Sequence, residues 1–282
     1  MSTAGPVLLV AFEEAVLVVV LGVVQGVLEW LPVSSEGSVA LVVTVVQGGS
    51  PDTATRFALF LHSGTAVAAF VYYRQEVRAL LEDLPAWRPA TAFDSETADL
   101  SFFAIATLVS GVVGLSVYAA LSELASKLTG GAFVALIGVL LVLTGVVQRV
   151  SEDHGLSNRE TPDAFDAALV GVMQGLALLP GVSRSGTTVS ALLLRGHEGE
   201  ESLRLSFLLS IPASLGAGVL VLADVGLPAV SPAAAVLAVA VSAVVGFLTV
   251  SALVRLVRRV AFWGVCVGFG SLAVVGGLLL VL

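Results

Sequence analysis

The chain has 282 residues, of which 57% are hydrophobic and 12% charged, and its mean hydropathy is +1.02. A soluble globular domain of that composition would expose large apolar patches, so the chain reads as a multi-pass membrane protein, with no polar stretch long enough to fold as a domain of its own. A net charge of −8 with a single lysine, Lys127, argues against nucleic acid or an anionic lipid surface as partner.

A spanning helix needs about 20 apolar residues, because each adds about 1.5 Å across about 30 Å of hydrocarbon. The first apolar region, 7–47, is not a simple span. A Pro/Ser/Gly cluster, Pro32 to Ser38, interrupts it and leaves about ten residues before Gln47-Gly48-Gly49, about 15 Å of helix or half a membrane. It is predicted to be a re-entrant helical hairpin. No basic residue precedes Arg56, so the charged start of a secretory signal is missing and the segment is expected to be retained. Spans are predicted at about 56–73, 100–122 and 131–149. A second interrupted region, 163–196, breaks at Pro180 to Thr187 and predicts a second hairpin, followed by spans at about 204–223, 230–252 and 260–282. The single cysteine, Cys266, forms no intrachain disulfide and is assigned to helix packing. Irregular backbone at membrane depth survives only inside protein or beside a wet cavity, so the two hairpins are expected to meet within the bundle.

The two broken regions are one motif written twice. Gly22, Val23, Gln25, Gly26, Val33, Ser34 and Gly37 recur, 149 positions on, as Gly171, Val172, Gln174, Gly175, Val182, Ser183 and Gly186. A weaker echo pairs Arg56 to Leu61 with Arg204 to Leu209, its register shifted by one. The chain therefore reads as all-α, one membrane domain of two repeats, 1–150 and 163–282, with about six transmembrane helices plus two hairpins. One hairpin and three crossings per repeat force the second repeat to begin on the opposite side, so the repeats are inverted and a site between them is implied. Arg74, Arg78, Arg88, Arg149, Arg159, Arg195, Arg204, Arg255, Arg258 and Arg259 gather in links on one side, against Arg56 and Lys127 on the other, which predicts both termini outside. The acidic links, among them Glu82, Asp83, Asp94, Glu96, Asp99, Glu152, Asp153, Glu160 and Asp163, read as solvated loops, compatible with a high-salt source.

Inside the echo the variable positions are complementary in charge: Glu29 and Glu36 in the first copy, Arg184 in the second. Gln25 and Glu29 are four apart and share a helix face. An intramembrane carboxylate is a functional hypothesis that needs a partner, here Arg184, a metal ion, or both. The plain alternative is an ion pair that only ties the hairpins together. Ser34, Ser35 and Ser38, with Ser183, Ser185, Thr187 and Thr188, are residues that cap helices; they predict a phosphate-sized anion site between two helix starts, or simple capping. The fork of Arg184 suits phosphoryl oxygens and keeps its charge at low dielectric. Carboxylates beside an anion call for a cation, so Glu29, Glu36 and the Gln25 carbonyl are candidate ligands for Mg2+ or Ca2+.

Gln25 to Gly37 and Leu179 to Thr188 resemble the two signature regions of the undecaprenyl-diphosphate phosphatase family, also called the bacitracin-resistance family, and Phe60 to Thr65 with Tyr73-Arg74, and Ser206 to Pro212, resemble its flanking segments. The resemblance implies an integral phosphatase of the cell membrane that converts a polyprenyl diphosphate, undecaprenyl- or dolichyl-type, to the monophosphate and recycles the lipid carrier for envelope glycans, with a divalent cation and inverted repeats. It makes Gln25 and Glu29 the acidic motif, Ser35 a nucleophile or phosphate contact, and Ser183, Arg184 and Thr188 the diphosphate clamp. Two departures stand out. The family usually carries a histidine where this chain has Ser38, and a small residue where it has Glu36. Glu36 is the expected substitute in proton transfer, with His62 a second candidate against its reading as a satisfied helix histidine. These departures allow a different polyprenyl carrier or a lost activity, and the acidic, lysine-poor composition is compatible with an archaeal dolichol-type lipid. The leading rival is a polyprenyl-phosphate flippase of the same architecture. A phosphatidic-acid phosphatase of the second type is disfavoured, because Lys127 and His197 lack its motif spacing, and a scaffold leaves Glu29, Glu36 and Arg184 unexplained. A homodimer is allowed.

Overall fold

The computed structural model describes residues 4–151, 159–227, 230–257 and 259–281; Glu152, Asp153 and Arg258 lie outside them. Among the described residues there are eleven α-helices and no strand. Helix α1 (Ala4–Leu28) stops ahead of Pro32, and α2 (Ser35–Leu41) starts after Ser34, running on through a π-helical turn, Val42–Val46. Then come α3 (Pro51–Tyr72), the exposed α4 (Arg74–Asp83), α5 (Ala98–Lys127) and α6 (Gly130–Ser151). The second half holds α7 (Ala164–Leu176), α8 (Arg184–Leu194), α9 (Gly199–Val225), α10 (Pro232–Val257) and α11 (Phe262–Val281).

Among the described residues, six helices are long and apolar enough to cross a membrane, namely α3, the Ala98–Leu121 part of α5, α6, α9, α10 and α11, at the six predicted places. Ser35–Val46 and Ala164–Leu176 are shorter apolar helices. The arms of the first break are unequal, which the sequence reading did not anticipate: α1, with 25 residues, is about 37 Å long. The half-membrane length applies to the arm after the break.

The halves interlock. Helix α1 packs on α10 and α7 on α5, while α3 packs on α9 and α6 on α11. The echoed glycines serve this packing. A Cβ on Gly26 would fall 2.9 Å from Gly246 N and Ser242 O, and one on Gly175 would fall 2.6 Å from the Val113 Cβ, so small residues four apart let the backbones close up. Helices α3 and α9 are the most buried of the six.

The two interruptions touch one another. Ser34 Oγ accepts the Gly37 N–H at 3.0 Å as a helix cap and the Gly181 N–H of the other break at 2.9 Å. Gly181 has φ +105°, and a Cβ there would meet Ile137 O at 2.4 Å, so only glycine fits. Helix α6 braces both turns: Thr144 Oγ1 donates to Gly181 O at 3.2 Å and Gln148 Nε2 to Pro32 O at 2.6 Å.

A polar knot closes the far end of the α7–α8 pair. Asp163 and Asp166 form a capping box at the start of α7. Buried Asp166 accepts from Arg195 Nε at 2.6 Å and Arg159 Nη1 at 2.8 Å, with His197 Nε2 at 3.0 Å. Burial alone would raise the Asp166 carboxyl, but the His197 and Arg195 hydrogen bonds outweigh it and hold it below the usual carboxylate range.

Candidate active site

The two turns present their first helical residues to a single carboxylate. Glu29 follows the end of α1; it is 6% exposed, and four separate groups reach it. Arg184 Nη2 donates to Glu29 Oε1 at 2.7 Å. On Oε2, Gln25 Nε2 donates at 2.9 Å and Ser35 Oγ at 3.1 Å, with His62 Nε2 at 3.3 Å. The opposite charges read from the two copies of the motif therefore converge in one buried cluster.

Arg184, the first residue of α8, is held in place from several sides. Its Nη1 donates to Ser206 O on α9 at 3.1 Å, and its guanidinium lies 5.8 Å from the Phe207 ring centre. Phe207 in turn packs edge-on against Trp30 at 5.7 Å, and Trp30 Nε1 donates to Gly246 O. Thr188 and Ser206 share a hydroxyl hydrogen bond at 2.7 Å beneath it. A fork fixed this way by aromatic stacking and backbone contact is ordered before any ligand arrives.

His62 is the residue that sequence reasoning undervalued. Its Nδ1 lies 2.9 Å from Ala58 O, a carbonyl that only accepts, so Nδ1 carries a proton. That back-bond is the satisfied-histidine reading, and it is correct for one ring nitrogen. The other nitrogen, Nε2, lies 2.9 Å from Glu36 Oε1 and 3.3 Å from Glu29 Oε2. Neutral imidazole and two carboxylates present only lone pairs to each other, so this contact requires a proton shared among His62, Glu36 and Glu29. The signal was available: a histidine within the apolar run of α3 is an intramembrane ionisable group in the same sense as Glu29.

The remaining predicted residues divide by where their hydroxyls go. Ser35 Oγ faces the cluster, donating to Glu29 and approaching Glu36 Oε2 at 3.3 Å. Ser34 and Ser183 are helix caps: Ser183 Oγ accepts the Gly186 N–H at 3.1 Å as Ser34 does that of Gly37. Ser38 donates to Ser34 O and Ser185 to Leu31 O, and Thr187 and Thr188 donate to carbonyls of their own first turn. These six side chains build the turns; Ser34 Oγ also reaches Glu36 Oε2 at 3.5 Å, and Ser35 alone among the serines has its hydroxyl on both acids.

Glu36, His62 and Arg184 line a cavity of about 30 Å³ whose far wall is Gln174 and Leu178 on the α7 side and Ala213 on α9. No group of three or more His, Cys, Asp or Glu side chains among the described residues is arranged as a metal site by itself. Gln25 Oε1, however, is a buried acceptor with no partner next to Glu29, and together with the two carboxylates it makes a hard oxygen donor set.

Comparisons with known proteins place the sequence in a family. The family model described as bacitracin resistance protein BacA matches residues 18–274. Among curated relatives, an undecaprenyl-diphosphatase from Haloarcula marismortui is 64% identical over 94% of this chain and 97% of its own. Proteins of the same name from Methanococcoides burtonii and Methanopyrus kandleri are 39% and 42% identical, covering 91% and 90% of this chain and 96% and 93% of their own. The matched span contains both motif copies, the ion pair between them and the histidine beside it, and on that ground the chain belongs to the bacitracin resistance protein BacA family.

Proposed function

We propose that the protein is an integral membrane phosphatase that hydrolyses a polyprenyl diphosphate, undecaprenyl- or dolichyl-type, to the monophosphate and inorganic phosphate. The observation that carries this reading is the convergence of Ser35, Glu29, Glu36, His62 and Arg184, which joins a hydroxyl paired with acceptor carboxylates to a fixed guanidinium. A flippase has no need of a nucleophile and base held within hydrogen-bond reach.

The terminal phosphoryl group sits against Arg184, whose fork stabilises the charge spreading over the equatorial oxygens, the main protein contribution in such transfers. Glu29 and Glu36 accept the proton of the attacking oxygen, either the Ser35 hydroxyl itself or a water that Ser35 orients. The bond from the terminal phosphorus to the bridging oxygen breaks and the lipid monophosphate leaves; on the Ser35 route a water then attacks the phosphoserine and releases inorganic phosphate. His62 passes its shared proton toward the bridging oxygen and is reset by the proton taken from the nucleophile. In this chain His62 and Glu36 together take the role of the histidine that the family resemblance places at Ser38. Glu29, Glu36 and the free Gln25 Oε1 are the residues that would hold a divalent cation, Mg2+ or Ca2+, and a bound cation would supply Lewis-acid charge on the phosphate oxygens.

In the same reading the protein lies in the cell membrane with both termini outside, and the breaks after α1 and α7 are re-entrant turns of inverted repeats 1–150 and 163–282. The distribution of arginines among the links supports the orientation. The exchange of partners, α1 with α10 and α7 with α5, supports the repeat.

The test is inorganic phosphate release by the purified protein in detergent from a long polyprenyl diphosphate, with and without Mg2+. Release that depends on protein supports the phosphatase. Lipid movement across reconstituted vesicles with no phosphate released would replace it with the flippase.

A further inference from the structure

Gln174 is Gln25 one repeat on, yet the two amides face different surroundings. Four residues after Gln25 stands Glu29; four residues after Gln174 stands Leu178. The equivalent helix face is therefore doubly polar in the first half and polar then apolar in the second. Gln174 is 2% exposed, its Nε2 donates to Ser110 Oγ on α5 at 3.2 Å, and its Oε1 has no partner. An unpaired buried amide oxygen is costly and uncommon in a finished structure, so the amide is set up to be rearranged by something that arrives.

What adjoins Gln174 indicates what arrives. On one side is the small cavity walled by Glu36, His62 and Arg184. On the other is an apolar groove of about 280 Å³ between α5, α7 and α9, lined by Ser110, Gly114, Leu115 and Leu220. Gln174, Leu178, Ala213 and Ala217 belong to both. Leu115 is exposed on the flank of the long apolar part of α5, so the groove opens on the apolar side of the helix bundle.

We propose that Gln174 is a substrate-positioning residue that binds the phosphate bonded directly to the lipid, the one retained in the product, while the groove between α5 and α9 takes the first isoprene units. The assignment rests on the phosphatase reading of the neighbouring cluster. Phosphate oxygens only accept, so the amide must present N–H. On binding the amide ends exchange: Nε2 turns to the phosphate, and Oε1 accepts the Ser110 hydroxyl, which gives up its hydrogen bond to Thr107 O. Leu178, replacing a carboxylate, keeps negative charge away from this phosphate and begins the apolar wall.

The experiment uses the purified full-length protein and two variants, Gln174→Leu, which keeps the volume and removes the amide, and Gly114→Leu, which fills the groove and leaves the amide. For each, KM for farnesyl and long polyprenyl diphosphates is measured with inhibition by farnesyl monophosphate and by inorganic phosphate, and thermal unfolding checks the fold. The expected result for both is a KM and a monophosphate inhibition constant raised about tenfold, in Gln174→Leu from the loss of one hydrogen bond to a charged acceptor and in Gly114→Leu from the lost space for the lipid, with inhibition by inorganic phosphate unchanged. Unchanged monophosphate inhibition, or inorganic phosphate inhibition weakened to the same degree, overturns the assignment. Direct binding of farnesyl monophosphate, weakened in both variants, reads the site independently of turnover, so a wild-type protein that releases no phosphate sinks the phosphatase reading without deciding this one. If Gln174→Leu fails to fold, Gln174→Asn, a shortened amide, is scored by the same constants.

Discussion

Ser35 and Arg184 occupy equivalent places in the two halves, each the first residue of a helix that follows a serine cap, and both reach the same carboxylate. Ser35 Oγ lies 3.1 Å from Glu29 Oε2 and Arg184 Nη2 lies 2.7 Å from Glu29 Oε1. The duplicated backbone turn is thus used twice with different chemistry. One copy delivers a hydroxyl and the other a fixed cation, and a single acid just past the end of α1 joins them.

Ser35→Ala removes the one hydroxyl that contacts both acids. Its kcat is expected to fall by about 10²-fold or more, with the fold retained because the cap is made by Ser34. Acid quench of wild-type protein with labelled substrate decides the route: label retained on Ser35 marks direct attack, and its absence with activity lost in the variant marks an oriented water. A Ser35→Ala protein at full rate contradicts both.

His62→Gln keeps a polar side chain but cannot carry the shared proton. A loss of about 10²–10⁴ in kcat is expected, the usual worth of a general acid or base, together with loss of one limb of the pH–rate profile. Glu36→Gln should flatten the same limb, since Glu36 Oε1 is the nearer acceptor at 2.9 Å. Profiles identical to wild type show that the proton handling lies elsewhere.

Glu29→Ala leaves Arg184 buried without its counter-charge. Breaking one side of a buried pair costs about 3–5 kcal/mol, so a lower unfolding temperature in detergent is expected. Adding Arg184→Met should recover most of that stability and none of the activity. Recovery of turnover in the double variant would reduce the pair to a tie between hairpins.

The Asp166 knot gives a pH dependence of stability. Its carboxyl is depressed in the folded protein from a reference value of 3.8, so its stabilisation is present above that value and lost as the pH falls below it toward the folded-state value. Unfolding temperature is expected to be flat from neutral pH to about 5 and to drop below about 4. Asp166→Asn should be less stable at neutral pH and lose most of that acid-side slope; an unchanged slope places the acid sensitivity in other carboxylates.

Much of this was legible in the sequence because a bilayer imposes simple rules. Length and hydropathy located all six long apolar helices, and the two Pro/Ser/Gly breaks located the turns. The opposed charges at Glu29, Glu36 and Arg184 foretold one cluster, since buried charge needs a partner. The serines were harder, because a cap and a ligand contact use the same residue in the same place: Ser34 and Ser183 cap their helices at Gly37 and Gly186, Ser34 reaching Glu36 only at 3.5 Å, and only the folded geometry separates them from Ser35. His62 was undervalued because its role depends on α3 packing beside α2, a tertiary fact absent from local spacing. The echoed pairs Gly22 and Gly26, and Gly171 and Gly175, are the surfaces on which α10 and α5 close, which spacing alone does not reveal.

The most direct measurement of the central claim is inorganic phosphate release from a long polyprenyl diphosphate by wild type and Arg184→Ala side by side, with unfolding profiles to establish that both are folded. The account predicts turnover by the wild type and a loss of about 10³-fold or more in the variant, as expected when a fixed charge on the transferring phosphoryl group is removed. A folded Arg184→Ala protein that releases phosphate at the wild-type rate contradicts it.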